Sequence, residues 1–483
     1  MDLSGPRALC RVLFVAPEVA PFTKTGGLGD VCAALPAALR QFAVDLRILI
    51  PGYPAILRAL EARDSLSLSE MGFEARLVDG LLPGSDVPVL VLDCPELYAR
   101  SGGPYQDAGG NDWPDNALRF GLLSRVAALL GSSGSPLAWR PEVVHCHDWP
   151  GALAAAWLRH EPGPHAASLV TIHNLAFQGN FDPWPLFQTL GLPQAAWSIE
   201  GVEFHGRLSF LKGGLASADL ISTVSPRYAA EIQAPELGCG LDGLLRHRAG
   251  VLSGILNGVD TAAWNPATDA HLAQRYDAGS LGAKRANKSD LQRRFGLRQD
   301  DAVPLIGQVG RLTGQKGIDL IVEAGEALVE RAQLVFLGSG EPRYEMALRE
   351  LAARHPGRVG VHIGFDEPLA HRVEAGADLF LMPSRYEPCG LNQLYSQRYG
   401  TPPVVRATGG LADSVEDGVT GFAFKAPEKE DLLEAVDRAL AAWRDPARWR
   451  AIQRAGMSRD FSWSAAARRY ADLYLRLATL ARA

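Results

Sequence analysis

Two glycine-rich turns, one in each half of the chain, each follow a short apolar run and lead straight into a helical pattern. The first is Lys24-Thr25-Gly26-Gly27-Leu28-Gly29-Asp30, and the second is Gly310-Arg311-Leu312-Thr313-Gly314-Gln315-Lys316-Gly317. In such a turn glycine lets the backbone approach a ligand closely, and free N–H groups at the helix start attract anions. Each turn keeps a lysine, although only seven of the 48 basic residues are Lys. A compact ammonium is therefore wanted there rather than a guanidinium fork. One such turn in each half predicts two nucleotide-fold domains serving one anionic ligand.

The rest of the chain agrees with that organisation. Short β-branched runs alternate with Ala/Leu/Arg-rich helical stretches, which predicts an α/β protein with parallel sheets. Strands are expected at Arg11–Ala16, Asp45–Ile50, Val87–Leu92, Val143–His147, Ala167–His173 and Leu220–Val224 in the first half. In the second they are expected at Pro304–Val309, Gln333–Leu337, Val359–Ile363, Leu379–Met382 and Pro403–Ala407. At 483 residues the chain exceeds what one core supports. The expected division is 1–253, 254–460 and a C-terminal helix over 461–483, for which packing back on the N-terminal domain is one option. The polar stretch Trp264–Asp301 is expected to wrap around the second domain.

Composition excludes several classes. A net charge of −6 argues against a general nucleic-acid or anionic-membrane surface. No apolar run reaches the about 18 residues of a membrane span. Six scattered cysteines with no CxxC pair favour reduced thiols in a cytoplasmic protein.

The polar clusters fall at strand ends, where ligands sit in doubly wound sheets. Gly26-Gly27-Leu28-Gly29 misses the GxGxxG spacing, and the second strand ends in Leu49-Ile50-Pro51 without a ribose-holding acid, so NAD is a poor fit. His145 and His147 share one strand face next to Asp148-Trp149; a metal site would need further ligands that the sequence does not advertise. Asp148 and Trp149 fit better as sugar contacts, and His173-Asn174 ends a buried strand in the same way. Arg311 and Lys316 on one strand-to-helix loop suit a diphosphate. Glu387, in Pro383-Ser384-Arg385-Tyr386-Glu387-Pro388-Cys389-Gly390-Leu391, is a carboxylate just before a helix and has no obvious helical partner.

Taken together, these motifs, with Leu256–Asp260 and Thr408–Asp413, resemble the bacterial glycogen synthase and plant starch synthase family. The resemblance spans essentially the whole chain. It implies the GT-B fold, two doubly wound Rossmann-like domains facing each other across a deep cleft. It implies retaining glucosyl transfer from ADP-glucose to an α-1,4-glucan, with no cofactor and no metal. Matched residue by residue, Lys24 resembles the phosphate-contacting lysine, set among Gly26, Gly27 and Asp30. Asp148 and Trp149 resemble acceptor-side residues, and His173 and Asn257 resemble donor-glucose contacts. Arg311 and Lys316 resemble the pair that neutralises the leaving diphosphate. Glu387 resembles the glutamate that holds the glucose, with Cys389, Gly390 and Leu391 behind it, and Phe365 resembles an aromatic flanking adenine. Asn392 stands where many bacterial members have Thr, and Tyr395 where related retaining transferases carry a second glutamate. A UDP-glucose-using transferase and a non-catalytic glucan-binding protein are the competing readings. The five intact polar residues Lys24, His173, Arg311, Lys316 and Glu387 argue against the second.

Overall fold

A computed structural model describes residues 10–481. The outermost parts of the expected N-terminal domain (residues 1–9) and C-terminal helix (482–483) lie outside them. The described chain divides into two compact units. One runs up to Val224 and includes Ala229–Gly258 and the chain from Trp463 on; the other is Val259–Ser462 with Ser225–Tyr228.

The first unit is built on a nine-stranded sheet. Its central strand, Cys10–Val15, pairs in parallel with Val44–Pro51 on one side and Val143–His147 on the other. Ala167–Ile172, Leu220–Thr223 and Leu252–Gly254 extend it beyond Val143–His147. Central residues Val12, Leu13, Phe14 and Val15 are fully buried, as expected of strands covered on both faces. At the other edge Pro88–Asp93 is followed by an antiparallel hairpin, Phe73–Leu81 and Ala62–Glu70, absent from the sequence reading. Its outer strand, Ala-Arg-Asp-Ser-Leu-Ser-Leu-Ser-Glu, is mostly exposed and polar. Half-solvated antiparallel strands do not make the long apolar runs by which the buried strands were recognised.

The unit continues past the expected boundary at 253. Leu252–Gly254 is an edge strand of this sheet, and a Cβ added to Gly258 would lie 2.5 Å from the Trp463 Cα. Only glycine allows that approach. The C-terminal helix, Trp463–Ala481, packs against the helix Gly27–Arg40. Its Tyr474 is fully buried and bonds through its hydroxyl to His145 Nδ1 at 2.8 Å.

In the second unit a six-stranded parallel sheet runs in the order Val359–Ile363, Gln333–Gly338, Leu305–Val309, Leu379–Met382, Pro403–Arg406, Phe422–Phe424. The chain moves outward from Leu305–Val309 in one direction, then returns to its other side. Beside the sheet, the helix Ile318–Arg331 buries Ile318, Ile321, Ala324, Leu328 and Val329, the apolar stripe of an amphipathic helix.

The Trp264–Asp301 stretch is more than a wrapping. It contains the helix Lys284–Arg294, and the Trp264 ring is stacked between His371 and Tyr395, each at 3.8 Å. Among the described residues no helix is long and apolar enough to cross a membrane.

Candidate active site

Both units place polar loops where the strand order reverses, outside the carboxyl ends of adjacent parallel strands. In the second unit those strands are Leu305–Val309 and Leu379–Met382. The loop after the first carries Arg311 and Lys316; the loop after the second carries Glu387. Lys316 Nζ lies 2.5 Å from Glu387 Oε2, and Ser384 Oγ donates to the same oxygen at 3.1 Å. The sequence suggested no partner for Glu387 because Lys316 is 71 residues away. The carboxylate is 5% exposed, so this pair is shielded from water on most sides. Arg311 is more open and donates to Gln315 Oε1 at 3.3 Å.

Close backbone contacts hold this arrangement. At Gly317, φ is +71°, and an added Cβ would lie 2.1 Å from the Pro383 carbonyl oxygen. At Gly409, φ is +44°, and its Cβ would lie 1.9 Å from the carbonyl oxygen of Glu387 itself. Glycine at these two positions brings the three loops into register. Asn392 donates from Nδ2 to Val309 O at 2.7 Å, tying the helix start to the end of the central strand. Cys389 is buried, with its carbonyl against Gly410, and Leu391 is half-buried beside Gly390, whose φ is +73°. Tyr395 stacks on Trp264, so this position serves packing and brings no carboxylate. Phe365 is 84% exposed at the end of the Val359–Ile363 strand, its ring faces open to a ligand.

In the first unit the loop after Cys10–Val15 folds around an acid that sequence reasoning missed. Glu18 is 2% exposed and accepts from Thr25 N at 2.8 Å, which shapes the glycine turn from within. Burial raises its pKa, partly offset by that hydrogen bond. Its only signal in the sequence was an acid three residues past a strand end. Lys24 Nζ pairs with Asp30 Oδ1 at 2.7 Å, both side chains well exposed, so an incoming anion can compete for the ammonium. Gly26 and Gly27 open the following helix, and Gly26 is extended rather than left-handed.

Asp148 and Trp149, both half-buried, are tied into the structure around them. Asp148, at φ +52°, accepts from His173 N at 2.7 Å and Asn174 N at 3.3 Å, so its carboxylate fixes the neighbouring strand end. Trp149 packs edge-on against Phe120, Phe181 and Phe210. The Gly179 backbone covers its ring so closely that an added Cβ would lie 2.4 Å from Trp149 Cε3. Beside them His173 Nε2 meets His147 Nδ1 at 2.9 Å. Asn257 is buried, and its Oδ1 faces no protein partner. No cluster of three or more His, Cys, Asp or Glu suited to a metal occurs among the described residues.

Burial pushes the Asp148 carboxyl up to about 7, from the usual 3.8, against the two N–H groups it accepts. The folded protein thus holds this proton more tightly than the unfolded chain. The group costs nothing below the unfolded value and costs stability increasingly as pH rises towards about 7, up to the order of 4 kcal/mol. Asp148→Asn keeps the acceptor and tolerates the left-handed backbone. Its stability relative to the parent should therefore increase from about pH 5 to about pH 8. Urea unfolding at both values checks this; parallel stabilities would remove the buried acid as the cause.

Comparison with known proteins decides the family. Residues 11–247 match the family model for the starch synthase catalytic domain, and residues 290–455 match that for glycosyl transferases group 1. The glycogen synthase of Aromatoleum aromaticum is 53% identical over 498 residues, covering 100% of both chains. The chain belongs to the glycogen and starch synthase family. Another member, glycogen synthase 1 of Methylococcus capsulatus, is 51% identical over 96% of each chain. The structure of the catalytic domain of starch synthase IV from Arabidopsis thaliana, bound to ADP and acarbose, superposes with a TM-score of 0.83 at 30% identity. It covers 98% of this chain and 100% of that one. Sucrose-phosphate synthase from Thermosynechococcus elongatus, at 19% identity and a TM-score of 0.61, shares the fold alone. As a glycogen and starch synthase family member with the GT-B fold, the protein is a glycosyltransferase that moves glucosyl units onto a glucan.

Proposed function

We propose that the donor is ADP-glucose, and that the Lys316–Glu387 pair is the centre of the donor site. The observation that carries this reading is the position of the pair. A cation and a buried carboxylate converge at the strand-order reversal of the second unit, the place where doubly wound sheets take nucleotides. Transfer breaks the bond from glucose C1 to the phosphate oxygen and forms one from C1 to the acceptor 4-hydroxyl oxygen. The hydroxyl proton leaves on the departing phosphate. Positive charge develops on the sugar ring and negative charge on the diphosphate, so opposite charges held a few ångströms apart suit both. In this reading Glu387 serves the sugar ring, and Lys316 and Arg311 the phosphates. Of the first unit's residues, Lys24 is assigned to the phosphates and His173 and Asn257 to the glucose hydroxyls. Retention follows from attack on the face the diphosphate leaves, which needs no second carboxylate at position 395.

Lys316→Ala and Arg311→Ala should each weaken ADP binding, with smaller effects on glycogen binding. A charge-assisted hydrogen bond lost at each site corresponds to about tenfold in affinity. Calorimetry with ADP measures this, and unchanged affinity in both variants would end the diphosphate assignment.

For the base, the open Phe365 ring supports adenine, which offers more stacking surface than uracil. Base–aromatic stacking is worth about 1–3 kcal/mol, and a 1.4 kcal/mol share of it predicts roughly tenfold preference. Labelled glucose transfer to glycogen from ADP-glucose and UDP-glucose in parallel tests the donor. Equal or better kcat/KM with UDP-glucose would overturn it and leave glucosyl transfer standing.

A further inference from the structure

The buried histidines of the first unit carry an inference that rests on, and deepens, the assignment of His173 to the donor sugar. His147 is the last residue of the strand Val143–His147 and is fully buried. Phe14 lies against its ring at 4.0 Å between centroids, and His145 at 4.1 Å. Its Nδ1 meets His173 Nε2 at 2.9 Å, while its own Nε2 is buried without a protein partner. His145 is satisfied separately, by the Tyr474 hydroxyl on Nδ1 and Thr171 Oγ1 on Nε2. Burial holds the pKa of His173 down to about 3 and that of His147 well below the usual value, so both rings are neutral.

Two neutral arrangements fit one hydrogen bond between two imidazoles. If His173 Nε2–H donates, His147 carries its proton on Nε2, leaving a buried N–H without an acceptor. If His147 Nδ1–H donates, what remains at Nε2 is a bare lone pair. An orphaned buried N–H is the rarer defect in folded proteins. The second arrangement is therefore the stable one. It makes His173 Nε2 an acceptor and places the His173 proton on Nδ1, on a ring that is only half-buried.

We infer that His147 is a positioning residue that sets the tautomer of His173, so that His173 presents an Nδ1–H donor to an oxygen of the donor glucose. Asp148 complements it by holding the His173 backbone N–H at 2.7 Å, so backbone and ring are fixed from two sides. The device resembles the second-sphere partner of a ligating histidine, which decides which nitrogen faces the ligand.

The test is spectroscopic and needs no substrate. In the full chain labelled with 15N-histidine, long-range 1H–15N correlations separate Nδ1–H from Nε2–H rings, and His173→Gln assigns the signal. His173 should be an Nδ1–H tautomer in the parent protein and shift to the Nε2–H form, which free neutral imidazole favours, in His147→Leu. That variant should lose about 10–100-fold in kcat/KM. His147→Asn, whose amide can donate from nearly the Nδ1 position, should recover much of the loss. An Nε2–H tautomer at His173 in the parent, or unchanged kcat/KM in His147→Leu, would overturn the inference. If the leucine variant does not fold, the parent spectrum alone decides. Full activity in His173→Gln, with the Nδ1–H tautomer seen at His173 in the parent, would instead remove the donor-sugar role of His173.

Discussion

Glu387→Ala is expected to lower kcat by about 10²–10³-fold, the usual cost of removing one preorganised electrostatic contact to the transition state. The carboxylate is buried and fixed from two sides, by Lys316 Nζ at 2.5 Å and Ser384 Oγ at 3.1 Å. It therefore pays no reorganisation cost as charge develops on the sugar. Breaking a fully buried pair typically destabilises by about 3–5 kcal/mol. Lys316 keeps 20% of its side chain exposed and can rehydrate, so the loss here should be smaller and the variant should fold. A second readout separates the roles. Glu387→Ala frees the ammonium and should leave ADP affinity unchanged or raised, whereas Lys316→Ala should weaken it. A folded Glu387→Ala variant with more than roughly half the parent kcat, against that expected loss, would show that Glu387 is not the sugar-facing group.

The second large effect lies at a glycine, which has no side chain to bring to the reaction. In Gly409→Ala, the new methyl would lie 1.9 Å from the Glu387 carbonyl oxygen, at a backbone φ of +44°. Left-handed strain and forced displacement each cost about 1–3 kcal/mol. A combined loss of about 2–6 kcal/mol would lower the melting temperature by roughly 4–24 °C for a unit of this size. The displaced atom is the backbone of Glu387, so kcat should fall with the melting temperature even where the variant is fully folded. Calorimetry and initial rates on the same preparation test this. A stable, fully active alanine variant would mean that the loops adjust independently, and that the position of Glu387 does not depend on this contact.

Local pattern carried the buried strands, because strands covered on both faces must be apolar along their length. It also carried the two glycine turns, because a strand running directly into a helix needs a backbone that glycine provides. It failed at the hairpin Ala62–Leu81, where one face is wet, and at the end of the first unit. There the last strand, Leu252–Gly254, is three residues long, too short for periodicity to register.

The site shows the same division. Residue type and place were legible: Lys24, His173, Arg311, Lys316 and Glu387 all stand at strand ends. Their partners were not. Lys316 and Glu387 meet across 71 residues of sequence, and His147 and His173 across 26. Trp149 read as a sugar contact; the structure adds that Gly179 and three phenylalanine rings pack on it and leave it half-buried. Asp148 read as a sugar contact, and the structure adds that one of its carboxylate oxygens accepts from two backbone N–H groups. Sequence by itself determined which units form and which chemical groups each loop carries, because strand, turn and helix preferences act over a few neighbouring residues. Only the tertiary structure decided which of those groups are paired, capped or left open, because hydrogen bonds and burial are set by strand order, and strand order joins residues far apart in the chain.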